Sequence, residues 1–193
     1  ARLKGKSVQN SALLSYLNAV ETIHDGGFYP GTPALITHKM AHNHRAIFFE
    51  LHPREFRGLE TNFSKDKRVT LCHESSHDKI WDYLPARKQK GLILIDPSYE
   101  VKNEYGEMAT LAKKIAKRCP AATIVIWYPI LMGNTRYKEI TDNVPDGTIY
   151  ELIGPEKERG MYGTGLCVVN APDGFHEIFS ECENEMTPFL FPA

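Results

Sequence analysis

The sequence predicts an α/β fold: a doubly wound, mostly parallel sheet with helices on both faces. Segments with strand character alternate with segments of helical periodicity along the chain. Residues 91–95 (GLILI) are apolar throughout, as expected for a parallel strand that is buried on both faces. Acidic and aromatic residues follow the ends of strands, which is where ligands bind in such sheets. These three observations place the expected site at the carboxyl ends of the strands.

The helices and strands are predicted as follows. Helices are expected at residues 11–24, from Thr32 onward, and at 54–63, 78–84, 103–117 and 175–186; strands are expected at 45–51, 68–72, 91–95, 122–127, 148–153 and 166–170. We expect Gly26 and Gly27 to end the first helix, and Thr32 to be the N-cap of the second with Pro33 at its first position. The last two strands are expected to pair at the end of the sheet, where one strand is antiparallel.

Length and composition favour one domain. The chain has 193 residues, of which 42% are hydrophobic, enough for a single α/β core. We expect one domain over residues 1–193, with residues 1–27 as a helical lead-in segment. The chain begins at Ala1 without a Met, so we expect the domain to be incomplete at its N-terminus. No apolar run approaches the roughly 20 residues needed to cross a bilayer, and no signal-peptide pattern is present, so a cytoplasmic protein is expected.

The cysteines and histidines carry little functional signal. The four cysteines are far apart and contain no C-x-x-C pair, so we expect reduced thiols in or near the core: Cys72, Cys119, Cys167 and Cys182. The histidines form two short clusters, and neither has the neighbouring Glu that is usual in helical zinc sites. We therefore expect no metal, and solvent-facing side chains at His38, His42, His44, His73 and His77.

Glu50 ends the strand RAIFFE and is a candidate ligand for a ribose. In nucleotide-binding α/β folds, an acid at this place accepts hydrogen bonds from both ribose hydroxyl groups. An acid placed before the amino end of the following helix is an equally good interpretation of this residue by itself.

The tetrapeptide Asp96-Pro97-Ser98-Tyr99 follows the apolar strand 91–95. The carboxylate of Asp96 and the backbone carbonyl of Pro97 can accept hydrogen bonds from an exocyclic amine, while the ring of Tyr99 stacks on a flat heterocycle. Such a pocket suits methylation of an amino group on a nucleobase. The alternative is an ordinary turn, since Asp, Pro and Ser are common in turns.

Several motifs recur together in a known family. They are Tyr29-Pro30-Gly31-Thr32-Pro33, Glu50-Leu51-His52-Pro53, residues 91–99 (GLILIDPSY), Trp127-Tyr128-Pro129 at the end of a third strand, and Arg159-Gly160-Met161. In this order and spacing, the chain resembles the bacterial methyltransferase J family over roughly residues 10–175. Members of that family use S-adenosylmethionine to methylate adenine N6 in 23S ribosomal RNA. The resemblance implies a Rossmann-like class I methyltransferase sheet.

The resemblance also implies roles for individual residues. Asp96 and the carbonyl of Pro97 would hold the adenine amine, with Asp96 accepting the proton, and Tyr99 would stack on the adenine ring. Contacts with the cofactor S-adenosylmethionine are implied for Thr32, Glu50, Ser75, Ser76 and Asp96.

The chain departs from the family pattern at three places. Ser98 stands where a second proline is usual, and Ser75-Ser76 stand where Asp-Gly is usual. The family's first strand and glycine-rich loop are absent from the sequence. In that fold the first strand lies between the strands that end at Glu50 and Asp96, and without it two strands would expose unpaired edges. We therefore expect a longer native protein, and neither tight cofactor binding nor turnover from these 193 residues.

The implied partner is 23S ribosomal RNA, as naked RNA or an early assembly particle, with no membrane. The sequence leaves the oligomeric state open, and a monomer is favoured. Since 23 basic side chains balance 24 acidic ones, RNA must be bound by local cations, for which the candidates are Arg54, Arg57, Arg87, Lys88, Lys90 and Arg159. Gly160, Gly163 and Gly165 are expected to form a bend before the last strand, not a phosphate-binding loop.

Two other classes of function stay open. One is amine methylation of DNA adenine or of a protein glutamine, which would use the same kind of pocket. The other is a non-catalytic homologue that binds the cofactor.

Overall fold

The computed structural model describes residues 7–24, 29–101, 103–156 and 158–191. Its helices are α1 (Ser11–Ile23), α2 (Thr32–Lys39), α3 (Pro53–Phe63), α4 (Ser76–Lys79), α5 (Glu104–Arg118), α6 (Lys138–Thr141) and α7 (Phe175–Leu190). Its strands are β1 (Ala46–Phe49), β2 (Val69–Cys72), β3 (Leu92–Ile95), β4 (Thr123–Leu131), β5 (Gly147–Ile153) and β6 (Met161–Val169). The chain divides into two compact units, Ser11–Leu84 and a second that combines Ala1–Asn10 with Pro85–Ala193.

The predicted order of helices and strands is confirmed, with most ends displaced by a few residues. The prediction missed α6, which has only four residues and therefore shows no apolar period. The predicted helix at 78–84 consists of α4 and a short 3-10 turn, Ile80–Asp82. The end predicted for α1 at Gly26 and Gly27 lies outside the described residues.

In the unit Ser11–Leu84, β1 and β2 form a parallel pair that is joined by α3. The register aligns Ala46 with Val69 and Phe49 with Cys72, so both strands end at the same edge. The Phe63 ring at the end of α3 packs edge-on against Phe48 of β1, with 5.7 Å between ring centroids. This contact holds the crossover helix against the strand, as in a βαβ unit.

The prediction for the start of α2 was wrong by one residue. Gly31 is the N-cap, in extended backbone conformation and without a side-chain capping bond, and Thr32 is the first helical residue. Pro33 follows as the second helical residue, where its missing N–H costs no helical hydrogen bond. The exposed hydroxyl group of Thr32 is therefore not used as a cap.

The second unit contains a four-stranded sheet in the order β3-β4-β6-β5. β3 and β4 are parallel, and β6 runs antiparallel to both β4 and β5. Three of the four strands therefore run in one direction, which confirms the mostly parallel α/β prediction. The antiparallel strand, β6, lies one place in from the edge of the sheet, whereas the prediction had placed it at the edge.

The sequence of β6 explains its inner position. Cys167, Val168 and Val169 are consecutive and at most 3% exposed, so both faces of the strand are covered. β5 is less buried along its length, with Tyr150 as its one buried side chain. A strand that is apolar on both faces suits the interior of a sheet, and a mixed strand suits the edge.

The prediction that residues 91–95 are buried on both faces was wrong. Leu92 is 64% exposed and Leu94 is 39% exposed, whereas Ile95 is buried. β3 is an edge strand, and β4 is its partner among the described strands. β1 and β2 form a sheet of their own, so β3 has no pairing with β1 in the part of the chain that the structure describes.

Helices cover both faces of the four-stranded sheet, as predicted. Tyr128 of β4 stacks on Tyr137, the residue before α6, and α5 packs against α6. Tyr150 of β5 lies in the same cross-strand row as Trp127, the residue before Tyr128. Because side chains alternate along a strand, Tyr150 lies on the face of the sheet opposite to that of Tyr128. Its ring packs against Phe175 and Phe179 of α7, at 5.1 and 4.8 Å between centroids.

Candidate active site

Asp96 and Pro97 lie at the carboxyl end of β3. β3 and β4 are parallel and in register, with Ile95 opposite Ile126, so the chain leaves the sheet at Asp96 while β4 continues. The Asp96 side chain is exposed, yet partial burial of its carboxyl group raises its pKa above the ordinary value. Pro97 is half-buried. Open α/β sheets bind ligands at this edge, so the Asp96 carboxylate lies where a ligand is expected.

Tyr99 is buried and tethered in this structure. Its side chain is 9% exposed, its hydroxyl group donates a hydrogen bond to the carbonyl oxygen of Trp127, and its ring lies 4.3 Å from that of Tyr105 in α5. Burial raises the pKa of Tyr99, so its hydroxyl group stays protonated and able to donate. The backbone of Tyr99 has φ +56°, a left-handed conformation that is unusual for a bulky residue. In this arrangement Tyr99 anchors residues 96–99, and its stacking on a base stays a prediction.

Trp127, Tyr128 and Pro129 lie inside β4 and not at a strand end, which corrects the prediction. β4 runs on to Leu131 because β6 continues to pair with it, as far as Leu131 opposite Met161. Periodicity could not show this extension, since it depends on a partner strand that comes 30 residues or more later in the sequence.

Behind the site, one cross-strand row connects three strands. Tyr128 of β4 lies opposite Gly165 of β6, which lies opposite Glu151 of β5. The Tyr128 hydroxyl group crosses Gly165 and donates a 2.8 Å hydrogen bond to Oε1 of Glu151. A Cβ atom at Gly165 would lie 2.2 Å from the Tyr128 ring, so this close approach requires glycine. The row fixes β4 beyond the point where β3 has ended.

In the other unit, Glu50 is the first residue after β1. Its backbone N–H donates to the carbonyl of Cys72 at 3.1 Å, which continues the pairing with β2. Its Oε1 accepts a 2.7 Å hydrogen bond from the backbone N–H of His52, the N-cap of α3. The interpretation as an acid at a helix start is therefore observed. Glu50 is half-buried, and its second carboxylate oxygen is the one that could accept a ribose hydroxyl group, so this role stays a prediction.

Ser75 and Ser76 lie at the same edge of the β1–β2 pair as Glu50. Ser75 is the N-cap of α4 without a side-chain capping bond, and Ser76 is the first helical residue. Both are half-buried. Because β1 and β2 are parallel and end in register, the residues that follow them emerge together.

His77 corrects the expectation of solvent-facing histidines. Its side chain is half-buried, and its Nε2 atom is buried without a hydrogen bond to any described residue. His73 is exposed but stacks on Phe56 of α3, with 4.4 Å between ring centroids. His38, His42 and His44 are exposed as predicted. Buried side-chain nitrogens without a hydrogen-bond partner are rare in folded proteins.

The described residues contain no group of three or more His, Cys, Asp or Glu side chains that could hold a metal ion. All four cysteines are free thiols, as predicted, and Cys72, Cys119 and Cys167 are buried. Burial raises the pKa of the Cys167 thiol to about 11. These thiols are therefore packing residues.

The three glycines near β6 do not all form the predicted bend. Gly160 precedes the strand with φ +88°, whereas Gly163 and Gly165 lie within β6. Close packing against β4 and β5, and not a turn, explains the two inner glycines.

The candidate RNA-binding cations are all exposed, and they belong to both units. Arg54 and Arg57 lie on α3 in one unit; Arg87, Lys88, Lys90 and Arg159 lie in loops of the other. Among the described residues, no helix combines the length and hydropathy needed to span a bilayer.

The chain was compared with known proteins on this basis. A family model described as "Ribosomal RNA large subunit methyltransferase D, RlmJ" matches residues 1–191. The chain belongs to this RlmJ family. Two curated relatives are each named "Ribosomal RNA large subunit methyltransferase J". That of Haemophilus influenzae is 29% identical over 188 residues, covering 92% of this chain and 66% of the relative. That of Escherichia coli is 28% identical over 169 residues, covering 83% and 60%.

A solved structure has a similar fold. The crystal structure of a Legionella pneumophila protein has a TM-score of 0.86 and 26% sequence identity, covering all of this chain and 74% of that one. The chain thus spans about two thirds of the length of the curated RlmJ relatives it matches. The resemblance that the motifs indicated is confirmed.

Sequence reasoning missed two residues that lie beside the predicted site residues. Tyr105, on the first turn of α5, is 2% exposed and packs against Tyr99, and His77 carries the buried nitrogen beside Ser75 and Ser76. The signal for Tyr105 was present, since it lies one turn before Met108 on the apolar face of α5. Nothing in the sequence distinguished His77 from the exposed histidines.

Proposed function

We propose that this chain carries the catalytic residues of an enzyme that transfers a methyl group from S-adenosylmethionine to N6 of an adenine in 23S ribosomal RNA. The observation that carries the proposal is the placement of Asp96 and Pro97 at the carboxyl end of β3, on a loop tethered by Tyr99 to β4. Membership of the RlmJ family supports the substrate class.

The adenine amine is a weak nucleophile because its lone pair is conjugated into the ring. In the proposed mechanism, one N–H donates to the Asp96 carboxylate and the other to the Pro97 carbonyl. These two hydrogen bonds favour a pyramidal nitrogen whose lone pair points away from the ring. A base held in this geometry needs little further reorganisation for in-line attack, and positioning of this kind supplies much of the rate. The target base must leave its stack to reach this exposed edge.

The carboxylate of Asp96 also takes the proton that the amine loses. Burial raises the pKa of this carboxyl group, which makes it a better proton acceptor than an ordinary aspartate. The ring of Tyr99 is proposed to stack on the adenine.

The residues after β1 and β2 fit the nucleoside part of S-adenosylmethionine. Glu50 offers a carboxylate oxygen to a ribose diol, and Ser75 and Ser76 offer half-buried hydroxyl groups. Thr32 offers a hydroxyl group that does not cap α2. When bound, the cofactor supplies the electrophilic methyl group.

The proposed partner is 23S ribosomal RNA, either naked or in an early assembly particle, and one copy of the enzyme suffices for the reaction. The reaction would take place in the cytoplasm.

The experiment uses Asp96→Asn and Asp96→Ala in the full-length protein. Transfer of labelled methyl groups from S-adenosylmethionine to deproteinised 23S ribosomal RNA that lacks the modification is measured. We expect kcat to fall by about 10²–10⁴-fold in both variants, because neither can accept the proton. Asn keeps an oxygen that can accept a hydrogen bond from the amine, whereas Ala loses this bond as well. Glu100→Gln, which removes an exposed carboxylate four residues away, is the matched control and should leave kcat unchanged.

Retained turnover in both Asp96 variants, with an unchanged unfolding temperature, would refute the role of Asp96. Labelling of DNA adenine or of protein glutamine in place of RNA would favour a different amine substrate. Cofactor binding by the unchanged protein without labelling of any of the three substrates would indicate a non-catalytic homologue.

A further inference from the structure

We propose that a second RNA-binding surface lies at the opposite end of β3 from Asp96, and that it binds the phosphate backbone of the substrate away from the target base. This surface, the basic end, consists of Arg87, Lys88, Lys90, Lys114, Lys117 and Arg118, all of which are exposed. The inference rests on the proposed function, since it assigns part of the same RNA to a different face.

The loop that enters β3 is held in a defined shape. The backbone N–H of Gln89 donates to the carbonyl of Ala86 at 2.8 Å, which closes a turn. The Cys119 thiol donates to the carbonyl of Pro85 at 3.1 Å, and the N–H of Thr123 donates to the carbonyl of Gly91 at 2.9 Å. These bonds tie one end of the loop to the C-cap of α5 and the other end to the start of β4, so Lys88 and Lys90 are presented from a fixed backbone.

The same loop is joined to the carboxyl end of α5. Nη1 of Arg87 donates a 3.3 Å hydrogen bond to the carbonyl oxygen of Lys117. Lys114 lies one turn before Lys117 and Arg118 on the same helix. The loop and the last turns of α5 therefore form one continuous cationic surface.

Local electrostatics explains only half of these charges. Three of the cations interact favourably with the negative end of the α5 dipole. They are Lys117 and Arg118 in the last turn of the helix, and Arg87, which donates to the carbonyl of Lys117. Lys88, Lys90 and Lys114 are not explained in this way, and none of the three forms an ion pair with a described residue. Three exposed lysines without acidic partners next to three more cations favour an anionic ligand.

The acidic residues at this end of the sheet lie beside other strands. Asp146 directly precedes β5, and Asp173 follows β6. β5 is three strands away from β3 in the sheet, and β6 is two strands away. Neither of these carboxylates therefore lies on a strand next to β3.

The basic end is remote from the proposed catalytic residues. α5 begins beside Tyr99, through the contact of Tyr105, and ends at Arg118. Its 15 residues span about 22 Å, so the basic end lies on the order of 20 Å from the loop that carries Asp96. A ligand that contacts both places must be long, and a polyanion such as RNA satisfies both the length and the charge.

The test compares two variants of the full-length protein that each lose three positive charges. The first is Lys88→Gln/Lys90→Gln/Lys114→Gln in the basic end. The control is Lys65→Gln/Lys67→Gln/Lys138→Gln, three exposed lysines on other surfaces. Binding to deproteinised 23S ribosomal RNA is measured over a series of KCl concentrations, together with kcat and KM for methylation.

For the first variant we expect a shallower plot of the logarithm of the RNA-binding constant against the logarithm of the KCl concentration. The slope should fall by about 2 in magnitude, because each of the three lost phosphate contacts reduces it by about 0.7–0.9. KM should rise about tenfold while kcat is retained, since these residues do not touch the reacting atoms. The control should keep the slope and KM of the unchanged protein.

An unchanged slope in the first variant, or an equal loss in the control, would overturn the proposal. Loss of binding to vesicles of anionic phospholipid, with RNA binding intact, would assign the basic end to a membrane surface instead. If the unchanged protein binds RNA through the basic end but methylates none, the proposed function fails while this surface stands; if it does not bind RNA, both fail.

Discussion

At the scale of single residues, Tyr99 connects backbone conformation with the proposed chemistry. A left-handed conformation costs an ordinary residue roughly 1–2 kcal/mol, so surrounding contacts must stabilise it. Here the hydrogen bond to the Trp127 carbonyl and the packing against Tyr105 do so. The strained residue lies three positions after Asp96, on the same loop.

Replacing Tyr99 by Phe separates anchoring from stacking. Tyr99→Phe retains the ring but removes the hydrogen bond to Trp127, so we expect the free energy of unfolding to fall by about 1 kcal/mol. We also expect kcat to fall because residues 96–99 lose their fixed position, whereas a ring that acts only by stacking would leave kcat intact. Chemical denaturation and single-turnover kinetics measure the two effects, with Tyr162→Phe on β6 as control. Unchanged stability and kcat would show that the tether has no role.

At the scale of strands, the row formed by Tyr128, Gly165 and Glu151 binds β4, β6 and β5 together. The Tyr128 ring fills the space above Gly165, and its hydroxyl group reaches the carboxylate on β5. Residues 96–99 depend on this row indirectly, because the hydroxyl group of Tyr99 donates to the carbonyl of Trp127, the neighbour of Tyr128.

A methyl group at Gly165 should therefore be costly. Gly165→Ala places Cβ 2.2 Å from the Tyr128 ring, and we expect a loss of about 1–3 kcal/mol in the free energy of unfolding, or more if the strands cannot separate. Gly58→Ala in α3 is the matched control: its Cβ meets nothing within 4 Å, so it should raise stability by about 0.5–1 kcal/mol. Equal urea midpoints for both variants would contradict this account of the row.

At the scale of the whole molecule, the core is unevenly distributed between the two units. The largest fully buried side chains all belong to the unit that contains the four-stranded sheet, and they include Tyr105, Ile115, Ile126, Tyr128 and Val168. In the unit Ser11–Leu84, the described buried apolar residues are fewer and smaller on average: Leu13, Ala19, Ala46 and Cys72.

This distribution predicts unequal resistance to local opening. In hydrogen exchange of the full-length protein, amides of β4 and β6 should exchange slowest, and those of β1, β2 and α1 faster. Mass spectrometry of peptides from the exchanged protein measures this order. Equal protection of β1 and β4 would mean that burial within each unit does not govern stability.

Much of the fold could be predicted from the sequence because its signals are local. The apolar face of α5 and the apolar strand 91–95 each show their period within a short window, and Asp96-Pro97-Ser98-Tyr99 is contiguous. The same locality explains why the family could be recognised from motifs. It also explains the errors: the exposure of Leu92 and the length of β4 depend on which strands lie alongside.

By itself, the sequence determined the order of helices and strands, the α/β class and the candidate acids Glu50 and Asp96, since these follow from residue type and spacing. Tertiary structure alone decided that β6 lies between β4 and β5, that Tyr99 is buried against Tyr105, and that the nitrogen of His77 has no partner among the described residues. It also joined Arg87 to the end of α5, 30 residues away. Each of these depends on contacts between residues distant along the chain, and strand pairing and side-chain packing form such contacts only when the chain folds.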